Sequence, residues 1–165
     1  MLNIVLLEPE IPENTGNIAR TCVGFNAVLH LIRPYGFFLS NKHLKRSGIN
    51  YWSHLKLKEH DSYDDFIQSI SNKKNIYFLS RYGIKTPNQL VLNSKEPIYF
   101  IFGKESLGIP KNILKQNKNN TVRIPMSENI RSLNLSNAVA IIGYEFAKQN
   151  KYRSLSLTEP FKPIF

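Results

Sequence analysis

Apolar positions along this chain fall into short runs that alternate with stretches of helical spacing, an order that predicts strand and helix in turn from end to end. Residues 2–7 form an apolar run of strand length. Ile18, Cys22 and Phe25 then recur at intervals of four and three, one face of a helix that Asn14 or Thr15 is placed to cap. Residues 28–32 read as the second strand, ended by Arg33-Pro34, and the basic stretch 42–47 as a short helix. Ser62 with Asp65 resembles a capping box opening a helix to about residue 70, and residues 76–80 are the next strand. Residues 97–102, PIYFIF, are uniformly apolar and aromatic, the mark of a central strand buried on both faces. A short helix opens near Pro110, residues 121–124 make the last strand, and Leu135, Ala138, Val139, Ile142 and Phe146 stripe a final helix. The tail after residue 151, with two prolines, reads as extended. The expected fold class is α/β: a mostly parallel sheet with helices on both faces. No repeat, linker or shift of composition divides the 165 residues, so one domain spanning 1–165 is expected.

Three segments put Gly, Asn or Pro directly after a strand, where the ligand crevice of a parallel sheet lies. They are residues 12–20, 102–110 and 124–138. In the second, Gly103 ends the most apolar strand, and its missing Cβ allows a ligand to approach the backbone closely. Gly108 permits a turn before Pro110, and Glu105 between them is placed to accept hydrogen bonds from loop amides or a ligand. In the third, Ser132, Asn134, Ser136 and Asn137 crowd the start of an apolar helix, more polar groups than a cap needs. Either they line a polar ligand site or they tie the loops together through a buried hydrogen-bond network. Neither a P-loop nor a GxGxxG fingerprint is present, which disfavours a dinucleotide-dependent oxidoreductase.

Charge narrows the partner. Lys and Arg number 22 against 12 acidic residues, a net charge of +10 that favours a polyanion, nucleic acid first. Lys/Asn-rich runs such as KQNKNN at 115–120 also fit a biased base composition. The single cysteine, Cys22, excludes an internal disulfide and a cysteine-rich metal cluster and fits a reducing, cytoplasmic location. The apolar N-terminal run lacks the basic flank and cleavage site of a signal peptide, and no run approaches the ~20 residues that span a bilayer.

The strings N-x-G-N-I-x-R-x-C at 14–22, F-G-x-E-x-x-G-x-P at 102–110 and I-P-M…R-S-L-N-L-S-N-A at 124–138 resemble, in order and spacing, the three motifs of the SPOUT RNA methyltransferases of SpoU/TrmH type. The resemblance covers essentially the whole chain and is closest to the minimal branch, which 2′-O-methylates the wobble cytidine or carboxymethylaminomethyluridine of tRNA, leucine tRNAs among them. Ile109 stands where Leu is commoner, and residues 23–27 depart from the usual spacing.

This resemblance implies a C-terminal trefoil knot, which pattern reasoning does not supply because knots are rare. It also implies S-adenosyl-L-methionine as cofactor, held largely by backbone groups at Leu79, Gly103, Ile124 and Ser132, with Ser80, Glu105, Met126, Leu133 and Asn134 as further contributors. Arg20, with Asn14 beside it, is implied to act near the reacting hydroxyl. An arginine is a poor base because it stays protonated, so phosphate holding or stabilisation of a developing alkoxide is the preferred role. No histidine falls in the three segments, so a conventional base is missing. Lys45, Arg46, Lys104, Arg131 and Arg20 are candidate phosphate contacts, with Tyr51 or Trp52 stacking a base and Tyr144 at an RNA or subunit interface. A homodimer acting on the anticodon stem-loop, with no metal and no membrane, is the implied state. The alternatives are methylation of ribosomal RNA or another tRNA position, or a non-catalytic RNA-binding protein of the same fold.

Overall fold

The computed structural model describes residues 1–37, 51–92 and 95–162. Within them six strands form one sheet: β1 (Leu2–Leu7), β2 (Val28–Ile32), β3 (Lys56–His60), β4 (Ile76–Leu79), β5 (Ile98–Phe102) and β6 (Thr121–Val122). Their spatial order is β3-β2-β1-β5-β4-β6, and every pairing is parallel. Helices α1 (Pro12–Gly24), α2 (Tyr63–Gln68) and α3 (Lys111–Gln116) lie on crossovers between strands, α4 (Leu135–Gln149) follows β6, and together they cover both faces. Residues 42–47, read as a short basic helix, lie outside the described residues.

The alternation of side chains along β1 shows why the sheet needs both layers. Leu2, Ile4 and Leu6 pack with Ile18, Cys22, Val139 and Ile142 of α1 and α4, whereas Val5 and Leu7 pack with Phe66 of α2 and Ile113 and Leu114 of α3. All six β1 residues are buried, as are all but one of the five in β5, which accounts for their uninterrupted apolar character. Gly143 lets α1 and α4 close up: a Cβ there would sit 2.7 Å from the ring of Phe25.

Several boundaries differ from the pattern. β3, KLKEH, is unreadable as a strand because it is a charged edge, paired only with β2, and no residue in it is fully buried. Helix α1 starts at Pro12, earlier than a cap at Asn14 or Thr15 would allow; Ile11 is its N-cap and makes no side-chain cap. Pro12 suits a first-turn position that lacks an N–H partner anyway, which leaves Asn14 and Thr15 buried inside the first turn. Ser62 does cap α2, accepting from the Asp65 amide at 3.1 Å. Pro110 is the N-cap of α3 rather than its first residue, and β6 stops at Val122. After α4 the chain does not extend at once: Lys151, Tyr152 and Ser154 take left-handed backbone conformations in a turn.

One polar relay crosses the buried sheet. Asn3 donates to the carbonyls of Ile98 (3.2 Å) and Met1 (3.3 Å), which turns its own Oδ1 toward His30 Nε2 at 3.1 Å. That nitrogen must therefore carry the proton, and His30 Nδ1 is left as an acceptor facing His60 Nε2 at 3.0 Å. A proton on Nδ1 would point two N–H groups at each other. Burial, His60 and Lys58 push His30 down to about 3, and burial also lowers His60 against the opposing pull of Asp65 and Asp61. A histidine whose folded pKa is depressed contributes stability that is present above its unfolded value near 6.5 and is lost as pH falls toward the folded one. Acidification from pH 7 to 4.5 should thus cost on the order of 2 kcal/mol through this site. Urea titrations at the two pH values check this: His30→Gln should lose distinctly less stability on acidification than the unaltered chain, and equal losses would disprove the relay's role.

Candidate active site

The segments that follow β1, β4, β5 and β6 all emerge at the carboxyl ends of parallel strands and meet there. Asn14 joins three of them. Its Nδ2 donates to Glu105 Oε1 at 3.0 Å, and its Oδ1 accepts from Asn134 Nδ2 at 3.0 Å. The other Glu105 oxygen accepts from the Glu10 amide at 2.9 Å. Glu10 answers by accepting from the Ser106 amide (2.9 Å) and hydroxyl (2.8 Å), bonds that hold its carboxyl below the usual carboxylate range. Lys104 closes the row on Glu8 at 2.8 Å. Asn134 meanwhile caps α4, its Oδ1 taking the amide (2.9 Å) and hydroxyl (2.7 Å) of Ser136. Of the polar groups before α4, Asn134 thus ties the loops together and Ser136 completes the cap, while Ser132 has no such bond among those described.

Glycine serves the same end. The chain doubles back after β5, and a Cβ on Gly103 would lie 2.1 Å from the carbonyl carbon of Gly108. The space at Gly103 is thus taken first by the loop's own return strand, not by a ligand. Gly108 makes the reversal with φ +71°. A fourth segment follows β4; the family resemblance reached only its first residues, Leu79 and Ser80, and not the turn beyond them. Ser80 N donates to Val122 O (2.9 Å), Lys85 N to Thr121 O (3.2 Å) and Arg123 N to Lys85 O (2.8 Å), lacing residues 80–85 onto β6. A Cβ on Gly83 would meet the Val122 carbonyl carbon at 2.2 Å. The clue was present in the sequence: Gly83 follows a strand, as Gly103 does.

These segments enclose a cavity of about 530 Å³. Leu79, Gly103, Glu105, Ile124, Met126, Ser132, Leu133 and Asn134 all line it, as do Ser80, Asn14, Lys104 and Arg131. Reasoning from sequence missed Arg81, Tyr82 and Arg123, which also line it, together with apolar wall residues such as Phe102 and Ala138. Four expected residues lie elsewhere. Arg20 is exposed on α1 and does not line the cavity; its guanidinium sits 6.0 Å from the ring centroid of Tyr51, whose hydroxyl donates to Gly16 O at 3.3 Å. Tyr51 and Trp52 both pack against the core instead of standing free. Tyr144 borders a separate apolar groove of about 460 Å³ with Pro87, Pro125, Ala140 and Ile141. Lys45 and Arg46 lie outside the described residues.

A family model described as the SpoU rRNA methylase family matches residues 1–144. The chain belongs to this family. A relative from Mycoplasma genitalium, provisionally named tRNA (cytidine(34)-2′-O)-methyltransferase, is 49% identical over 94% of this chain and 95% of its own length. Among solved structures, an RNA methyltransferase of Bacillus anthracis, also provisionally named, superimposes with a TM-score of 0.89 at 43% identity, covering 95% of this chain and 99% of that one. A protein described in terms of 2-OH methylation of C/U34 on tRNA gives 0.82 at 40% identity, over 93% and 98% of the two chains. An AdoMet-bound rRNA methyltransferase of Sinorhizobium meliloti, at 21% identity over 89% of this chain and 56% of that one, shares the fold with a TM-score of 0.76. The six-stranded parallel sheet of this SpoU-family chain is thus that of its relatives, and the three strings that suggested the family converge on one cavity.

Removing the carboxylate of the network tests how far it holds the site together. Glu105→Ala leaves the Asn14 amide and the Glu10 N–H without their acceptor, so unfolding free energy should fall by about 1–3 kcal/mol. Denaturant titration reads this out, and an unchanged midpoint would show the network to be incidental.

Proposed function

We propose that the chain is a tRNA 2′-O-methyltransferase that moves a methyl group from S-adenosyl-L-methionine to the ribose of the wobble nucleotide. The observation that carries this reading is the convergence of all three family strings on a single cavity whose bridging network spans each of them. The names of relatives 40–49% identical over nearly the whole chain support position 34 over ribosomal RNA. The cavity's donor set fits the cofactor: apolar walls at Leu79, Phe102, Ile124 and Ala138 suit a purine and an alkyl chain, while Ser132, Asn134 and loop backbone groups suit ribose and amino-acid ends. When bound there, S-adenosylmethionine supplies the electrophilic methyl group. In this reading Asn14 is a positioning residue, because both polar atoms of its side chain are engaged by Glu105 and Asn134.

Two further properties belong to the same proposal. The trefoil knot implied by the family is supported by the tight crossing of residues 80–85 over β6, where Gly83 lies against the backbone of Val122. A homodimer is supported by Arg20: it stands outside the lining of its own cavity, and in this reading a second copy brings it to a ribose held there. The apolar groove at Ile141 and Tyr144 offers surface for such a contact. Arg20 then holds a phosphate or stabilises charge on the attacking oxygen.

Calorimetry with S-adenosylmethionine should show one site per chain, and labelled cofactor with unmodified tRNA should place the methyl on ribose 34; base methylation, or no cofactor binding, would refute the reading. Arg20→Ala should lose turnover by roughly 10²–10³ while keeping cofactor affinity, as expected for a group that acts on transition-state charge. Mixing that variant with one whose cavity is filled by Ala138→Phe should restore activity through hybrid dimers. No recovery, with hybrids verified by mass spectrometry, would mean that Arg20 works within its own chain.

A further inference from the structure

The segment 80–85 carries a feature that the proposed reaction does not yet use. Arg81 and Tyr82 stand exposed at the rim of the cavity, Tyr82 at 55%, with the Arg81 guanidinium 4.5 Å from the Tyr82 ring centroid and donating to its hydroxyl. The pair is fixed from behind. Arg123 donates to the Arg81 carbonyl, the Tyr82 amide donates to Ser80 Oγ at 3.2 Å, and the Gly83 amide donates to Ser80 O at 3.0 Å. Main-chain bonds to Thr121 and Val122 anchor the same turn to β6. An aromatic ring of this size left half-exposed on a pinned turn is not serving the core.

Charge indicates what the ring faces. Arg81, Lys104, Arg123 and Arg131 line the cavity, against Glu105 as the one carboxylate among its described lining residues. That carboxylate is committed to Asn14 and Glu10. The ion pairs among the described residues engage Arg33, Lys104 and Lys148, and none takes Arg81, Arg123 or Arg131. A positive rim attracts a polyanion, and a guanidinium-backed aromatic face adds what a phosphate alone does not need: a platform for a flat ring. Single-stranded RNA offers both a phosphate chain and unstacked bases.

We infer that the Arg81–Tyr82 pair is a stacking shelf for a base of the RNA that flanks the nucleotide entering the cavity. This rests on the RNA methyltransferase reading and deepens it by assigning a substrate contact. The bound strand turns at the rim: the target ribose enters the cavity while a neighbouring base lies on Tyr82, held in register by the arginines.

The test uses full-length protein, S-adenosylmethionine and an unmodified anticodon stem-loop RNA. Tyr82→Ala should weaken RNA binding about tenfold, with cofactor affinity unchanged to within about twofold, given that stacking on an aromatic is worth a factor of this order. Tyr82→Phe, which keeps the ring, should bind RNA like the unaltered chain. Wild-type RNA affinity in Tyr82→Ala would overturn the shelf, as would a cofactor loss that matches the RNA loss, since the ring would then belong to the cofactor cavity. Failure of Tyr82→Phe to retain binding would move the contact from the ring to the hydroxyl and also overturn it. If the unaltered chain binds no RNA at all, the methyltransferase reading fails together with the shelf. Methylation that proceeds normally in Tyr82→Ala removes the shelf alone.

Discussion

A carboxamide presents a donor and an acceptor side by side on one planar group, and Asn14 uses both at once, between a carboxylate and a second amide. Aspartate in its place would set two carboxylates face to face at Glu105; leucine would leave Glu105 and Asn134 facing apolar surface. Glu105 and Asn134 lie 91 and 120 residues along the chain from Asn14, yet all three loops meet at this one planar group. Because Asn134 also caps α4, the same side chain joins the start of that helix to the network. The cavity is therefore shaped by bonds within the protein, which limits the reorganisation that a ligand must bring about on binding.

The two faces of the sheet divide the work. α1 and α4, which carry Asn14 and the residues following Asn134, pack on one side with the larger core. α2 and α3 close the other side around Phe66, Ile113 and the His30–His60 pair. Function is thus concentrated on one layer and on the strand ends, while the opposite layer supplies burial and a protonation-sensitive relay. The rim residues Arg81 and Arg123 come from two different strand ends, brought together because β4 and β6 are neighbours.

How much of this was legible from sequence depended on what each residue answers to. The strands β1, β2 and β5 announce themselves because burial on both faces requires apolar residues at nearly every position. β3 answers to the solvent on its open edge, so its Lys and Glu hide the strand. The loops stood out through Gly and Asn, but the meaning of Gly103 did not: only the folded chain shows Gly108 in the space a side chain would need. Sequence left open whether Asn134 binds ligand or other loops; in the structure its side chain bridges loops while the residue still lines the cavity. Arg20 shares a motif with Asn14, yet a motif is linear and a helix is not, so one residue reaches the cavity and the other faces out.

The placement of β1 beside β5 bears on how the chain matures as it is made. Leu2 pairs with Ile98 and Leu6 with Phe102, so the first strand is synthesised long before one of its two neighbours exists. At roughly 5–20 residues per second, about 5–20 seconds of synthesis separate them. Through that interval the nascent N-terminal segment can satisfy β1 only on its β2 side, leaving one row of backbone amides and carbonyls and much of the central core open to competitors. An emerging strand in that condition is a ready client for a ribosome-associated chaperone.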